Sequence, residues 1–125
     1  MKRAIKTENA PAAIGPYSQA IQNGTVLYIS GQLPINVQTG LLVEGIQAQA
    51  EQVLTNLEAI LQSEGMTLAN LVNTTIFLAD IGDFAVVNEI YGRRIPPPFP
   101  ARSTVQVARL PKDALIEIEA IAYYK

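Results

Sequence analysis

An α+β architecture, with about five or six strands in one sheet and two helices covering one face, is what this chain predicts. Three observations carry it. A strand-turn-strand pattern surrounds Asn23-Gly24, a long apolar stretch at helical spacing lies between Ile46 and Leu61, and two β-rich segments fill the last quarter. With 125 residues, 49% of them hydrophobic, the chain is long enough for one core and too short for two, so residues 1–125 read as one domain.

Tyr17 to Gln22 and Thr25 to Ser30 read as a hairpin, because Asn23-Gly24 accepts the positive φ angles of a tight two-residue turn. A loop over Gln32 to Glu44 follows. Ile46, Ala50, Val53, Leu54, Leu57 and Leu61 then mark a helix, with Gln47, Gln49, Glu51 and Glu58 turned elsewhere and Gly65 as terminator. Leu68 to Leu78 holds Val72, Thr74, Thr75, Ile76 and Phe77, a β-branched and aromatic cluster that suits a strand and completes a strand-helix-strand crossover. Asp83 is placed to cap a short helix over Phe84 to Tyr91, and Pro96-Pro97-Pro98 stops that helix as a stiff extended connector. Ser103 to Ala108 and Leu115 to Tyr123 form the last strands, joined by a turn through Pro111-Lys112-Asp113.

Two helices cannot cover both faces of such a sheet, and Val26-Leu27-Tyr28-Ile29 and Ile116, Ile118, Ala120 and Ile121 supply apolar residues to both. An uncovered apolar face predicts a homo-oligomer.

Composition narrows the chemistry. The chain has no Cys and no His, which removes disulfides, thiolate nucleophiles, the usual zinc ligand sets and His-based triads. Acid–base work therefore falls to Asp, Glu, Lys or Tyr. A net charge of −2 and scattered basic residues disfavour nucleic acid as the main partner. Neither a Walker nor a Rossmann glycine pattern appears, so no nucleotide cofactor is indicated. Asp80 and Asp83 lack the further oxygen donors of a calcium loop and read as capping residues, so no metal is indicated either. No run approaches the roughly 18 apolar residues of a membrane span and the amino terminus lacks a signal-peptide core, which points to the cytoplasm.

Arg102 and Glu117 stand out as charges within apolar strand segments, where either needs a partner or a ligand. Arg102 could grip a carboxylate with two parallel hydrogen bonds, or pair with Glu117 or Glu119. Glu117 beside apolar walls would have a raised pKa and could exchange protons with water, or it could belong to a solvated polar strand face with Glu119. Tyr17 and Ser30 bracket the first hairpin, and Gly31 allows close backbone approach to a small ligand. Asn88, between Phe84 and Tyr91 on one helix face, reads on physical grounds as a satisfied polar neighbour. Lys112 reads as a solvated turn residue.

Ala13-Ile14-Gly15-Pro16-Tyr17-Ser18-Gln19-Ala20, Tyr28-Ile29-Ser30-Gly31-Gln32, Phe84 to Tyr91, Phe99-Pro100-Ala101-Arg102-Ser103 and Ala108-Arg109-Leu110-Pro111-Lys112-Asp113, taken together, closely resemble the RidA (YjgF-like) family of reactive-intermediate deaminases. The likeness covers essentially the whole chain. It implies a chorismate-mutase-like fold, a homotrimer with clefts between neighbouring subunits, and cofactor-free hydrolysis of 2-imino or 2-enamino acids such as 2-aminoacrylate and 2-iminopropanoate. It further implies Arg102 as the carboxylate clamp, Glu117 as the residue acting on the attacking water, and Tyr17 with them in the catalytic set. Ser30, Gly31, Asn88 and Thr104 are implied as substrate contacts. Thr104 stands where many members carry cysteine, and residues 92–99 form a shorter, more proline-rich stretch than in many relatives. The alternative is a sensor that binds small carboxylates or keto acids in the same cleft. RNA cleavage, attached by name to some relatives, is disfavoured by the missing histidine and basic stripe.

Overall fold

A computed structural model describes residues 1–124. In chain order, β1 (Arg3–Ile5), β2 (Ala20–Asn23), β3 (Val26–Gln32), β4 (Ile35–Asn36) and β5 (Leu41–Leu42) precede helix α1 (Ile46–Ser63). Strand β6 (Leu71–Leu78), helix α2 (Phe84–Arg94), β7 (Ala101–Gln106) and β8 (Ile116–Tyr123) follow. Six strands form a mixed sheet in the order β1-β2-β3-β8-β6-β7, and β4 and β5 pair as a separate ribbon. The α+β class with two helices and a six-stranded sheet is thus as expected.

Local chemistry explains where the elements depart from expectation. The first hairpin turns one residue later, through Gly24-Thr25, because Asn23 pairs with Val26 and only Gly24 takes a positive φ, 63°. Its strands start at Ala20 and Val26, so Tyr17 lies in the connection before β2. Strand β1 and the β4–β5 ribbon were not expected, since three- and two-residue strands are too short for alternation to show. Asp83 stands at the N-terminus of α2 without a side-chain capping bond. Asp80 instead caps the short 3-10 turn Ile81–Asp83 that leads into α2, accepting from the Gly82 amide at 2.8 Å.

Along α1, Val53, Leu54, Leu57, Ile60 and Leu61 are fully buried and pack with Leu27, Ile76, Leu78, Ile116 and Ile118 of the sheet. Gln49 was expected outside this face but is buried. Its side chain donates to the Val43 carbonyl at 3.0 Å and accepts from the Leu115 amide at 2.8 Å, so a polar residue fastens two loops to the helix. Leu57→Ala is expected to lower the unfolding free energy by roughly 2–5 kcal/mol, read as a lower urea midpoint with unchanged slope.

Two connections position the functional segments. Helix α2 carries the chain from β6 to its parallel neighbour β7, and Arg94 fastens α2 to α1 through Glu51 at 2.6 Å and Glu58 at 3.4 Å. Strand β8 lies between β3 and β6 and is antiparallel to both. Both helices lie on the face that buries Ile116, Ile118, Ala120 and Ala122. The opposite face exposes Tyr28, Val105 and Tyr123, and Tyr28 is in register with Ile121. Among the described residues no helix is long and apolar enough to cross a membrane.

Candidate active site

Arg102 stands on β7 opposite Thr74 of β6, and Thr74 is buried on the helix-covered face. Its guanidinium therefore reaches over α2, with its carbon 4.9 Å from the centre of the Tyr91 ring and 5.5 Å from that of Phe84. These are cation–π distances, and they hold the head group without consuming its N–H donors. Every other arginine pairs with a carboxylate: Arg3 with Glu64, Arg93 with Glu51, Arg94 with Glu51 and Glu58, Arg109 with Asp113. Arg102 has no such partner among the described residues. Asn88, Tyr91, Gly92, Phe99 and Pro100 line a cavity of about 410 Å³ around it. Asn88 is exposed there and has no side-chain hydrogen bond among the described residues, so it is not the satisfied polar neighbour its helix position suggested.

Glu117 belongs to the other face. Along β8 the even-numbered residues Ile116, Ile118 and Ala120 are buried beneath the helices, so Glu117 and Glu119 point away from them. The ion pair between Arg102 and Glu117 or Glu119, one of the two readings of the sequence, is thus not made within the chain, because the sheet lies between them. Glu117 is half-buried and its partner on β3 is irregular. Between the Ile29↔Ala120 and Gln32↔Ile118 pairs, β3 carries an extra residue, a bulge at Ser30-Gly31. A Cβ on Gly31 would come within 2.9 Å of Glu117 Cδ and closer still to Oε2, so the missing side chain is what accommodates the carboxylate. Burial, and secondarily the charge of Glu119, pushes the Glu117 carboxyl above the ordinary carboxylate range.

Ser30 Oγ donates to the Ser18 carbonyl at 2.6 Å, which ties the bulge to the segment carrying Tyr17. Tyr17 is exposed and borders a cavity of about 670 Å³ that Ile14, Ile35 and Lys112 also line. Thr104 lies two residues beyond Arg102 on the same face of β7. Its hydroxyl is buried and has no hydrogen-bond partner among the described residues. Among the described residues no group of acidic side chains is arranged to hold a metal ion.

The predicted residues therefore fall into two half-sites. Arg102, Asn88 and Thr104 go with α2 and β7, Glu117, Gly31 and Ser30 go with β3 and β8, and Tyr17 borders its own cavity, joined to the second group through the Ser30–Ser18 bond. Sequence reasoning missed Phe84 and Tyr91 as supports of Arg102, although their places on either side of Asn88 along one helix face were the available signal.

The family model described as Endoribonuclease L-PSP matches residues 7–124. The chain is 50% identical over 125 residues, 98% of each chain, to the 2-iminobutanoate/2-iminopropanoate deaminases of Salmonella typhimurium and Escherichia coli. The crystal structure of RidA from the Antarctic bacterium Psychrobacter sp. superposes with a TM-score of 0.94 at 48% identity, covering 97% of this chain and 98% of that one. This chain belongs to the RidA family. A further relative, Escherichia coli TdcF with bound serine, superposes with a TM-score of 0.92 at 41% identity over 98% of this chain and 99% of that one.

Two outcomes test the Glu117 half-site as built. Gly31 does not take a positive φ, so alanine is permitted by the backbone there. Gly31→Ala should leave the melting temperature nearly unchanged while displacing the Glu117 carboxylate, and a turnover that depends on that carboxylate should fall by about a hundredfold. Glu119→Gln removes the lesser of the two causes that raise Glu117. A reaction needing ionised Glu117 loses rate as pH falls through the raised pKa, so Glu119→Gln should move that acid limb to lower pH.

Proposed function

We propose that the protein hydrolyses 2-imino acids, and their 2-enamino tautomers such as 2-aminoacrylate, to 2-keto acids and ammonia, in clefts that two copies of the chain complete together. The observation carrying this reading is the unpaired guanidinium of Arg102, held by aromatic faces at the edge of a cavity sized for a small molecule. A planar fork with free donors suits a carboxylate. The deaminase names of relatives identical at half their positions supply the reacting group, and the serine-bound relative shows a small amino acid on this fold.

The chemistry requires no cofactor. Arg102 fixes the substrate carboxylate and so the position of the imine carbon. Water adds to that carbon while Glu117 accepts its proton, and the same carboxyl returns a proton to the nitrogen. The hydroxyl of the tetrahedral adduct then gives up its proton as the C–N bond breaks, nitrogen takes a proton and leaves as ammonia, and the ketone remains. An enamine first takes a proton at its terminal carbon and gives one up from its nitrogen to become the imine. The raised pKa of Glu117 brings it nearer the operating pH, as a residue that both takes and gives a proton requires.

A site using both Arg102 and Glu117 cannot form within one chain, because the sheet separates them. The uncovered apolar face and the unpaired edge of β7 offer surfaces on which a second copy could bring its Glu117 half-site to the first copy's Arg102. A closed ring of such head-to-tail contacts is a cyclic oligomer, and the resemblance to the RidA family implies three copies. Asn88, Ser30, Gly31 and Tyr17 then line the same cleft as substrate contacts, with Thr104 contributing through its backbone.

Release of keto acid from 2-aminoacrylate, generated in place by a pyridoxal-phosphate serine dehydratase, tests the reading. Faster release than without the protein is expected. Equal time courses, with saturable keto-acid binding, would instead make the cleft a sensor.

A further inference from the structure

We propose that the buried hydroxyl pair of Thr74 and Tyr91 is a positioning device that sets the attitude of the Arg102 fork before any ligand arrives. Thr74 Oγ1 and Tyr91 Oη lie 2.6 Å apart, and both residues are almost fully buried. Thr74 is also the register partner of Arg102 across the β6–β7 pair. The three residues therefore close a circuit: the backbone pairing sets Arg102 against Thr74, the Thr74 hydroxyl holds the Tyr91 phenol, and the Tyr91 ring faces the Arg102 guanidinium at 4.9 Å.

The circuit answers a problem the unpaired arginine creates. A guanidinium on a flexible stem, without a carboxylate to fix it, samples many orientations, and a ligand would have to order it at the expense of affinity. A ring face removes that freedom only if the ring itself is fixed. Tyr91 lies on a helix and Arg102 on a strand, so something must also set the height of the ring against the sheet. The bond to Thr74 joins ring to sheet at the strand position opposite the arginine. Phe84, 5.5 Å from the guanidinium carbon, adds a second face but has no hydroxyl to anchor it.

The inference rests on the carboxylate-clamp reading, and its test separates the two. The probe is 2-oxobutanoate, a stable ketone with the carboxylate that Arg102 is to hold, titrated calorimetrically beside thermal melting of each variant. Thr74→Val and Tyr91→Phe keep shape and delete one hydroxyl each. Both are expected to weaken binding about tenfold, the double variant no more than either alone, and Thr74→Ser is expected to bind like wild type. Turnover should follow in KM more than in kcat. Unchanged affinity in Thr74→Val and Tyr91→Phe, with only the melting temperature lowered, would make the pair a core hydrogen bond and overturn the proposal. Losses that multiply in the double variant would overturn it too. Wild-type affinity in Arg102→Ala would overturn the clamp itself.

Discussion

Arg102→Ala is expected to lower kcat/KM for imine deamination by about a hundredfold or more, the usual loss when a desolvated charge pair forfeits one member. The fold should tolerate the change. Among the described residues Arg102 makes no ion pair, so its removal orphans no carboxylate there and forfeits the stacking on Tyr91 and Phe84. Arg102→Lys should recover only part of the loss, since an ammonium keeps the charge but not the two parallel donors. Steady-state kinetics with a no-protein control, beside melting curves, checks both. A variant that melts like wild type and turns over undiminished would remove Arg102 from the site.

Glu117→Gln is expected to cost about 10²- to 10⁴-fold in kcat, the range for a positioned general acid–base, and to leave keto-acid binding far less affected. Stability should move the other way. A carboxyl whose folded-state pKa is raised binds its proton more tightly folded than unfolded, so it favours the fold below the unfolded pKa and loses that contribution as pH rises through the folded value. At neutral pH ionised Glu117 is thus a cost to the fold. Glu117→Gln removes it, and its melting temperature at pH 7 should equal or exceed that of wild type. Such an exchange of stability for activity is common where a site must hold an unfavourable charge.

The elements that sequence reading found were those written in period and punctuation. The α1 helix was legible because Val53, Leu54 and Leu57 repeat at helical spacing, and β8 because Ile116, Ile118 and Ala120 alternate with Glu117 and Glu119. Gln49 was misjudged because its burial is decided by the Val43 carbonyl and the Leu115 amide, distant in sequence, and not by its own polarity. The turn slipped by one residue because Asn-Gly allows two placements of the positive φ and only pairing with β3 chooses between them. Arg102 and Glu117 could be picked out singly as charges in strands. That they lie on opposite faces depends on register across β6, and the sequence carries no local mark of it. The fit of Glu117 against Gly31 was equally hidden, since a glycine beside a serine does not say which side chain will fill the space it leaves.

The division of the site between copies is most directly tested by complementation. Arg102→Ala and Glu117→Gln chains, each inactive alone, are unfolded together in equal amounts, refolded, and assayed for deamination. Random assembly into rings puts an intact Arg102 beside an intact Glu117 in about a quarter of the clefts, so activity near a quarter of the wild-type value is the expected result. A mixture as inactive as its two parents, with mixed oligomers demonstrated by mass spectrometry, would contradict the shared cleft.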